Sequence, residues 1–195
     1  VTAALRDRIA VIGWGSLIWD LDDLAQKIDG PWLMDAGPRL PLEFSRISQK
    51  RLMSLVVVID PDHGAPCPTH AIASVRQTLA EAAADLAARE RAPLARIGVH
   101  DAETGATRAS DPRMARAMAD WCAETGARGA VWTDLPRNFA ETTGRPFSVP
   151  AGLAYLEGLR GSSAAEARRY IDAATAATDT PLRRALARAP WWRVR

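Results

Sequence analysis

The stretch RIAVIGWGSLIW, residues 8–19, decides how the rest of the chain is read. Residues 8–14 are a short, β-rich apolar run ending at glycine, the pattern of a buried strand. Buried strands usually run into polar turns. Here the strand meets Gly13-Trp14-Gly15-Ser16, with large apolar side chains on both sides. Two glycines permit positive φ or close approach of another molecule to the backbone. Successive exposed N–H groups in such a turn make a concavity for an anion. The alternative reading is a tight turn between two core strands. The turn is not a Rossmann fingerprint, because the third glycine and the following helix are missing, and no Gly-Lys-Ser/Thr follows to make it a P-loop.

Working outward, residues 20–28 predict one or two helical turns capped by Asp20. Residues 30–41 are rich in Gly and Pro and read as loop. Residues 42–48 (LEFSRIS) alternate apolar and polar side chains, as a half-buried strand does. Residues 52–60 (LMSLVVVID) make the strongest strand, and 69–75 (THAIASV) another. Turn chemistry between them predicts a hairpin with a long loop. The alanine-rich residues 77–91 place Leu79, Ala83, Leu86 and Glu90 at helical spacing, with Glu81 and Asp85 as a wet face, and Pro93 closes that helix. Strands at 95–100 and 129–133 flank a helix over 111–125, capped by Asp111 with Pro112 at its first position. Beyond Pro150 the pattern predicts helices at 151–159, 163–177 and 180–189, the second opened by a Ser163/Glu166 capping box. Strands crowd the first two-thirds and helices the last third, which favours an α+β fold over βαβ alternation.

A chain of 195 residues, 48% hydrophobic, is long enough for one well-buried core, so a single domain over 1–195 is expected, with 145–195 as a helical extension. The net charge of +2 gives no reason to expect nucleic acid or a membrane surface as partner. No apolar run approaches the roughly 18 residues of a membrane helix. Arg6, Asp7 and Arg8, followed by a stretch broken at Gly13, Gly15 and Ser16, make a poor signal peptide. Two cysteines, Cys67 and Cys122, do not form a disulfide framework and point to a reducing, cytoplasmic setting. His63, Cys67 and His70 invite a zinc reading, but they lie on a Pro-rich segment with no fourth ligand evident, so no metal is expected. Arg160, Arg168, Arg169, Arg183, Arg184, Arg188, Arg193 and Arg195 are diluted by Glu166, Asp172 and Asp179 and read as a solvated helical surface, a polyanion partner being the other reading. Trp191 and Trp192 are expected to fold back onto the core or to join a subunit contact.

The central turn then acquires a family resemblance. Trp14-Gly15-Ser16-Leu17, preceded by an apolar strand and followed by Ile18-Trp19, resembles the Tyr-Gly-Ser-Leu motif of the γ-glutamylcyclotransferase-like proteins, in the Tyr-Gly-Ser-Leu-Ile-Trp form of the ChaC group. Trp14 stands where the family has tyrosine, which keeps a ring and removes a phenol. That family places a catalytic glutamate downstream, often as Arg-Glu, and Arg89-Glu90 is similar in type and place. The resemblance implies a small mixed β-barrel surrounded by helices, with a pocket at its mouth. It also implies release of 5-oxoproline from a γ-glutamyl amine or peptide, by attack of the substrate's own α-amino group on its γ-carbonyl. Glu90 would be the acid/base, and Trp14, Gly15, Ser16 and Leu17 would bind a small-molecule γ-glutamyl substrate, without metal or cofactor. By its spacing alone, Glu90 reads instead as a solvated helix-end glutamate paired with Arg89 or Arg91. The other outcome of the same resemblance is a catalytically inactive module that binds a small carboxylate.

Other residues compete for roles. Glu43 points away from Leu42 and Phe44, either to the solvent side of a sheet or into a barrel. Arg46 is either a carboxylate clamp or an exposed strand arginine. Thr133-Asp134 could bring a hydroxyl and a carboxylate to the rim of the Gly-Ser turn, or form an Asx-type turn before Pro136.

Overall fold

A computed structural model of the chain describes residues 2–193, so Arg195 lies outside the described residues. In chain order the strands are β1 (Ile9–Gly13), β2 (Ile28–Leu33), β3 (Leu40–Ser48), β4 (Ser54–Ile59), β5 (Ala65–Cys67), β6 (His70–Ser74), β7 (Ile97–Asp101), β8 (Thr107–Arg108) and β9 (Gly129–Thr133). The helices are α1 (Thr2–Leu5), α2 (Leu79–Glu90), α3 (Pro112–Thr125), α4 (Phe139–Thr143), α5 (Val149–Gly158), α6 (Gly161–Ala173), α7 (Pro181–Leu186) and α8 (Pro190–Arg193). The fold is mixed α+β, and none of the described helices is long and apolar enough to cross a membrane. Two compact units are formed, one from the residues up to Leu40 with Pro68–Leu135, the other from Pro41–Cys67 with the residues from Pro136 on.

The first unit is built on a six-stranded sheet in the order β2-β6-β1-β9-β7-β8. β1 runs antiparallel to β6, with Val11 opposite Ile72 and Gly13 opposite His70, and parallel to β9, with Val11 opposite Val131. Alternate residues of the central strands supply one apolar face: Ile9, Val11, Ile72, Ile97 and Val131. Helix α2 lays Ala82, Ala83, Leu86 and Ala87 on that face, where burying Leu86 alone contributes about 1.5–3 kcal/mol. The helix starts because the Thr78 hydroxyl accepts the Glu81 N–H at 3.2 Å. It stops because Arg91 turns left-handed at φ 53° and directs its N–H back to the Ala87 and Ala88 carbonyls. Helix α3 opens as its sequence predicts, with the Asp111 side chain accepting the Arg113 N–H and Pro112 in the first turn.

The second unit holds a three-stranded sheet, β4-β3-β5, with helices α4 to α8. β3 and β4 form an antiparallel pair from Leu42 opposite Ile59 to Ser48 opposite Ser54, with an irregularity between Glu43 and Arg46. Leu42, Glu43, Phe44 and Ser45 are all buried, so this strand has no solvent side at Glu43. Phe44 meets Tyr170 of α6 edge to face, with centroids 6.4 Å apart. Near the C-terminus, Trp192 is buried and carries the Arg168 guanidinium over its ring at 4.3 Å.

Several sequence expectations are corrected. The stretches 52–60 and 69–75 do not pair as a hairpin: β4 joins β3, whereas β6 joins β1 and β2. Strands β4 and β6 within these stretches are buried at every residue, and a pattern that marks burial does not name a pairing partner. Part of the expected loop at 30–41 is strand β2, which tolerates Gly30-Pro31 because it is an edge strand whose register shifts between Asp29 and Leu33. Asp20 does not cap a helix; a 3₁₀ turn at Asp22–Gln26 follows Leu21 instead. Asp85 is buried, not on a wet face, and takes Arg76 at 2.6 Å and Lys27 at 3.2 Å. The Ser163/Glu166 box does not form, because α6 begins at Gly161 and Glu166 binds Arg169 at 2.7 Å.

Candidate active site

The Gly-Ser turn is shaped by its glycines. A Cβ on Gly13 would overlap the Trp32 ring, coming within 2.8 Å of Cζ3, so the indole packs directly over the backbone where β1 ends. Trp14 remains extended at φ −155° and ψ 173°, and alternation along the strand turns its side chain to the opposite face from Gly13. Gly15 then takes φ 55°, which starts the 3₁₀ turn Gly15–Ile18. The turn closes on the Ser16 carbonyl, which accepts N–H bonds from Trp19 at 3.2 Å and Asp20 at 2.8 Å. Leu17 is buried with Leu86 and Leu24, anchoring the turn under α2. The opening N–H groups of such a turn have no acceptor within it.

The last turn of α2 reaches this segment. Arg89 is 3% exposed. Its Nη2 donates to Ser16 Oγ at 3.3 Å, its Nε donates to the Asp20 carbonyl at 3.1 Å, and Nη2 also reaches that carbonyl. Its Nη1 donates to Glu90 Oε1 at 2.7 Å. The Glu90 side chain keeps 15% of its surface exposed, so the carboxylate is largely enclosed yet reachable. A carboxylate in the last turn of a helix faces the unfavourable end of the macrodipole, and the adjacent guanidinium offsets this. Ser16 and Glu90, singled out by the family resemblance, are thus joined by Arg89; its pairing with Glu90 is the one the helix-end spacing suggests, whereas its contacts to Ser16 and Asp20 were not foreseen. A signal was available: Arg89 follows Ala82 and Leu86 at the i+7 and i+3 positions of the apolar stripe, where an arginine needs internal partners.

The sheet contributes a rim. Because β1 and β9 are parallel, their C-terminal ends lie at one edge, bringing Thr133 level with Gly13. Asp134 does not add a free carboxylate there: it is buried and accepts the Ser110 N–H at 2.5 Å and hydroxyl at 2.7 Å. Neither expectation for Asp134, a rim carboxylate or an Asx-type turn, describes this clamp. His70 sits opposite Gly13 on β6, and its Nδ1 accepts the Asp35 N–H at 2.9 Å. Burial lowers the His70 pKa, more than the neighbouring Asp35 carboxylate raises it. The neutral ring with hydrogen on Nε2 follows from the accepted N–H.

The remaining candidates lie in the second unit. Glu43 is fully buried, accepts N–H bonds from Phe44 at 2.7 Å and Leu182 at 3.1 Å, and is hydrogen-bonded by Thr180. Burial raises its pKa above the usual carboxylate value, against these three hydrogen bonds. Asp60 is equally buried, but the Ser45 hydroxyl and Arg137 outweigh burial, and its pKa is lowered. Arg46 Nη1 donates to the Pro136 carbonyl at 2.5 Å. His63 Nδ1 lies 3.2 Å from Asp60, and no cluster of three or more metal-type ligands occurs among the described residues. Of the C-terminal arginines, Arg183 is not simply solvated: it donates to the carbonyls of Ala174 and Thr178 at 2.8 and 3.2 Å, and to that of Thr175.

No protein-family model, no curated protein and no solved structure matches this chain.

Proposed function

We propose that this chain is a γ-glutamyl cyclotransferase-type enzyme that releases 5-oxoproline from a γ-glutamyl amine or peptide. The observation that carries the reading is the junction of Ser16 and Glu90 through one buried guanidinium, at the end of β1. In the reaction, the substrate's α-amino nitrogen forms a bond to its own γ-carbonyl carbon, closing a five-membered ring. The bond from that carbon to the leaving amine breaks. The nucleophile is already tethered, so the protein's task is to hold a folded conformer and to move protons. Glu90 takes one proton from the α-ammonium to free the attacking amine; as the ring closes the same nitrogen gives up a second, and the two protons pass to the leaving nitrogen, which departs as an ammonium. Backbone N–H groups at Gly15, Ser16 and Leu17 stabilise the oxyanion or the substrate carboxylate, with Trp14 part of the same binding segment. Neither metal nor cofactor enters the scheme. On this reading the open, mixed six-stranded sheet stands where the family has its small mixed barrel, and the buried thiols of Cys67 and Cys122 suit a reducing cytoplasm.

A second reading, an inactive module that binds a small carboxylate, is favoured by Trp14, which lacks the phenol of the family's tyrosine. Incubation with glutathione, γ-glutamyl amino acids and γ-glutamyl amines, with 5-oxoproline measured by chromatography, separates the two. Product release supports the enzyme. Thermal stabilisation by a panel member without product supports the binding module, and neither response removes both.

A further inference from the structure

We infer that Arg89 is a positioning residue whose guanidinium holds the Ser16 turn and the Glu90 carboxylate in one geometry. Burying a guanidinium costs several kcal/mol unless its donors are satisfied, and Arg89 is 3% exposed on the apolar face of α2. All three of its nitrogens are directed at acceptors of its own chain: the Asp20 carbonyl, Ser16 Oγ and Glu90 Oε1. A substrate carboxylate therefore finds no open fork there, and Arg89 is not a substrate clamp. Three acceptors in different directions demand a planar fork, which lysine's single ammonium does not reproduce. The Asp20 carbonyl also ties Arg89 to the segment that closes the turn, since the Asp20 N–H binds the Ser16 carbonyl at 2.8 Å. One side chain thus sets both the turn that would hold the headgroup and the carboxylate that would move the proton.

This role deepens the cyclotransferase reading and rests on it for its kinetic consequence. Misplacing a reacting group by about 1 Å costs about 100-fold in rate. Arg89→Met is therefore expected to lower kcat per folded molecule by about 100-fold with KM nearly unchanged, and Arg89→Lys to recover part of the loss. A raised KM with kcat retained would overturn the assignment, because Arg89 would then bind substrate. An unchanged kcat per folded molecule would overturn it as well, leaving Arg89 as packing alone. Amide hydrogen exchange at Trp19 and Asp20, measured on the same variants, separates this claim from the enzymatic one. If wild type releases no 5-oxoproline, faster exchange at these two amides in Arg89→Met, partly restored in Arg89→Lys, upholds the positioning role while the enzymatic reading falls. Exchange unchanged in both variants overturns the positioning role. Should Arg89→Met fail to fold, Arg89→Lys compared with wild type decides by the same two readouts.

Discussion

Arg89 Nη2 lies 3.3 Å from Ser16 Oγ, joining residues 73 positions apart in sequence. That contact makes one site of what the sequence presents as two: a glycine-bounded turn after the first strand, and the last turn of an alanine-rich helix. The carboxylate beside Arg89 remains partly open to solvent, whereas the guanidinium does not. Such a division suits a reacting group held by a group that does not react.

The turn itself is predicted to depend on its two glycines for different reasons. Gly13→Ala drives a methyl into the Trp32 ring and should destabilise the fold by about 1–3 kcal/mol, as overpacking does. Gly15→Ala forces a side chain into the left-handed region at φ 55° and should cost about 1–2 kcal/mol. Urea unfolding of each variant checks both values. A stability equal to wild type in either would mean that the turn has another shape.

Asp134 is predicted to be structural. Asp134→Ala leaves the Ser110 N–H and hydroxyl without their acceptor and should cost about 1–3 kcal/mol. Turnover per folded molecule should stay at the wild-type level. A large loss of kcat in a folded Asp134→Ala protein would return this carboxylate to the reacting centre.

Glu43 supplies a pH signature in the second unit. Its folded-state pKa is raised above the unfolded value, mainly by burial. The folded state therefore holds the proton more tightly, and this contribution to stability is present in full below the unfolded pKa. It is lost as pH rises through the folded value. Glu43→Gln removes that dependence, so its Tm relative to wild type should become more favourable as pH is raised from 4 to 8. Asp60, with its pKa lowered, has the opposite sign: its contribution is lost as pH falls through its folded value. A Tm difference between Glu43→Gln and wild type that does not change with pH would contradict the assignment.

Much of the fold could be read from local chemistry. The limits of β9 and α3 match the pattern closely, because Asp111-Pro112 and the break at Gly126 are strong boundary signals. What could not be read was pairing. The parallel contact of β1 with β9 joins segments some 120 residues apart, and nothing in either apolar run specifies it. The same limit produced the false hairpin between residues 52–60 and 69–75. Strand β2 was hidden by Gly30-Pro31, which breaks a central strand but not a bulged edge. At the site, the glycines stood out by type and spacing, whereas Glu90 was singled out by the family resemblance, its spacing alone reading as a solvated helix-end glutamate. Arg89 was visible as the neighbour of Glu90, but its contacts to Ser16 and Asp20, residues some 70 positions earlier, were not legible in the sequence. Glu43 showed the converse problem: alternation assigns it a face, but the faces of β3 are both buried.

The most direct measurement is single-turnover release of 5-oxoproline by wild type and Glu90→Gln, using whichever γ-glutamyl compound the wild type converts. Glutamine preserves an acceptor for Arg89 Nη1 at the same place and removes only the capacity to take a proton. Loss of general acid/base catalysis should slow release by about 100- to 10,000-fold with the circular dichroism spectrum unchanged. Release by Glu90→Gln at the wild-type rate would contradict the account.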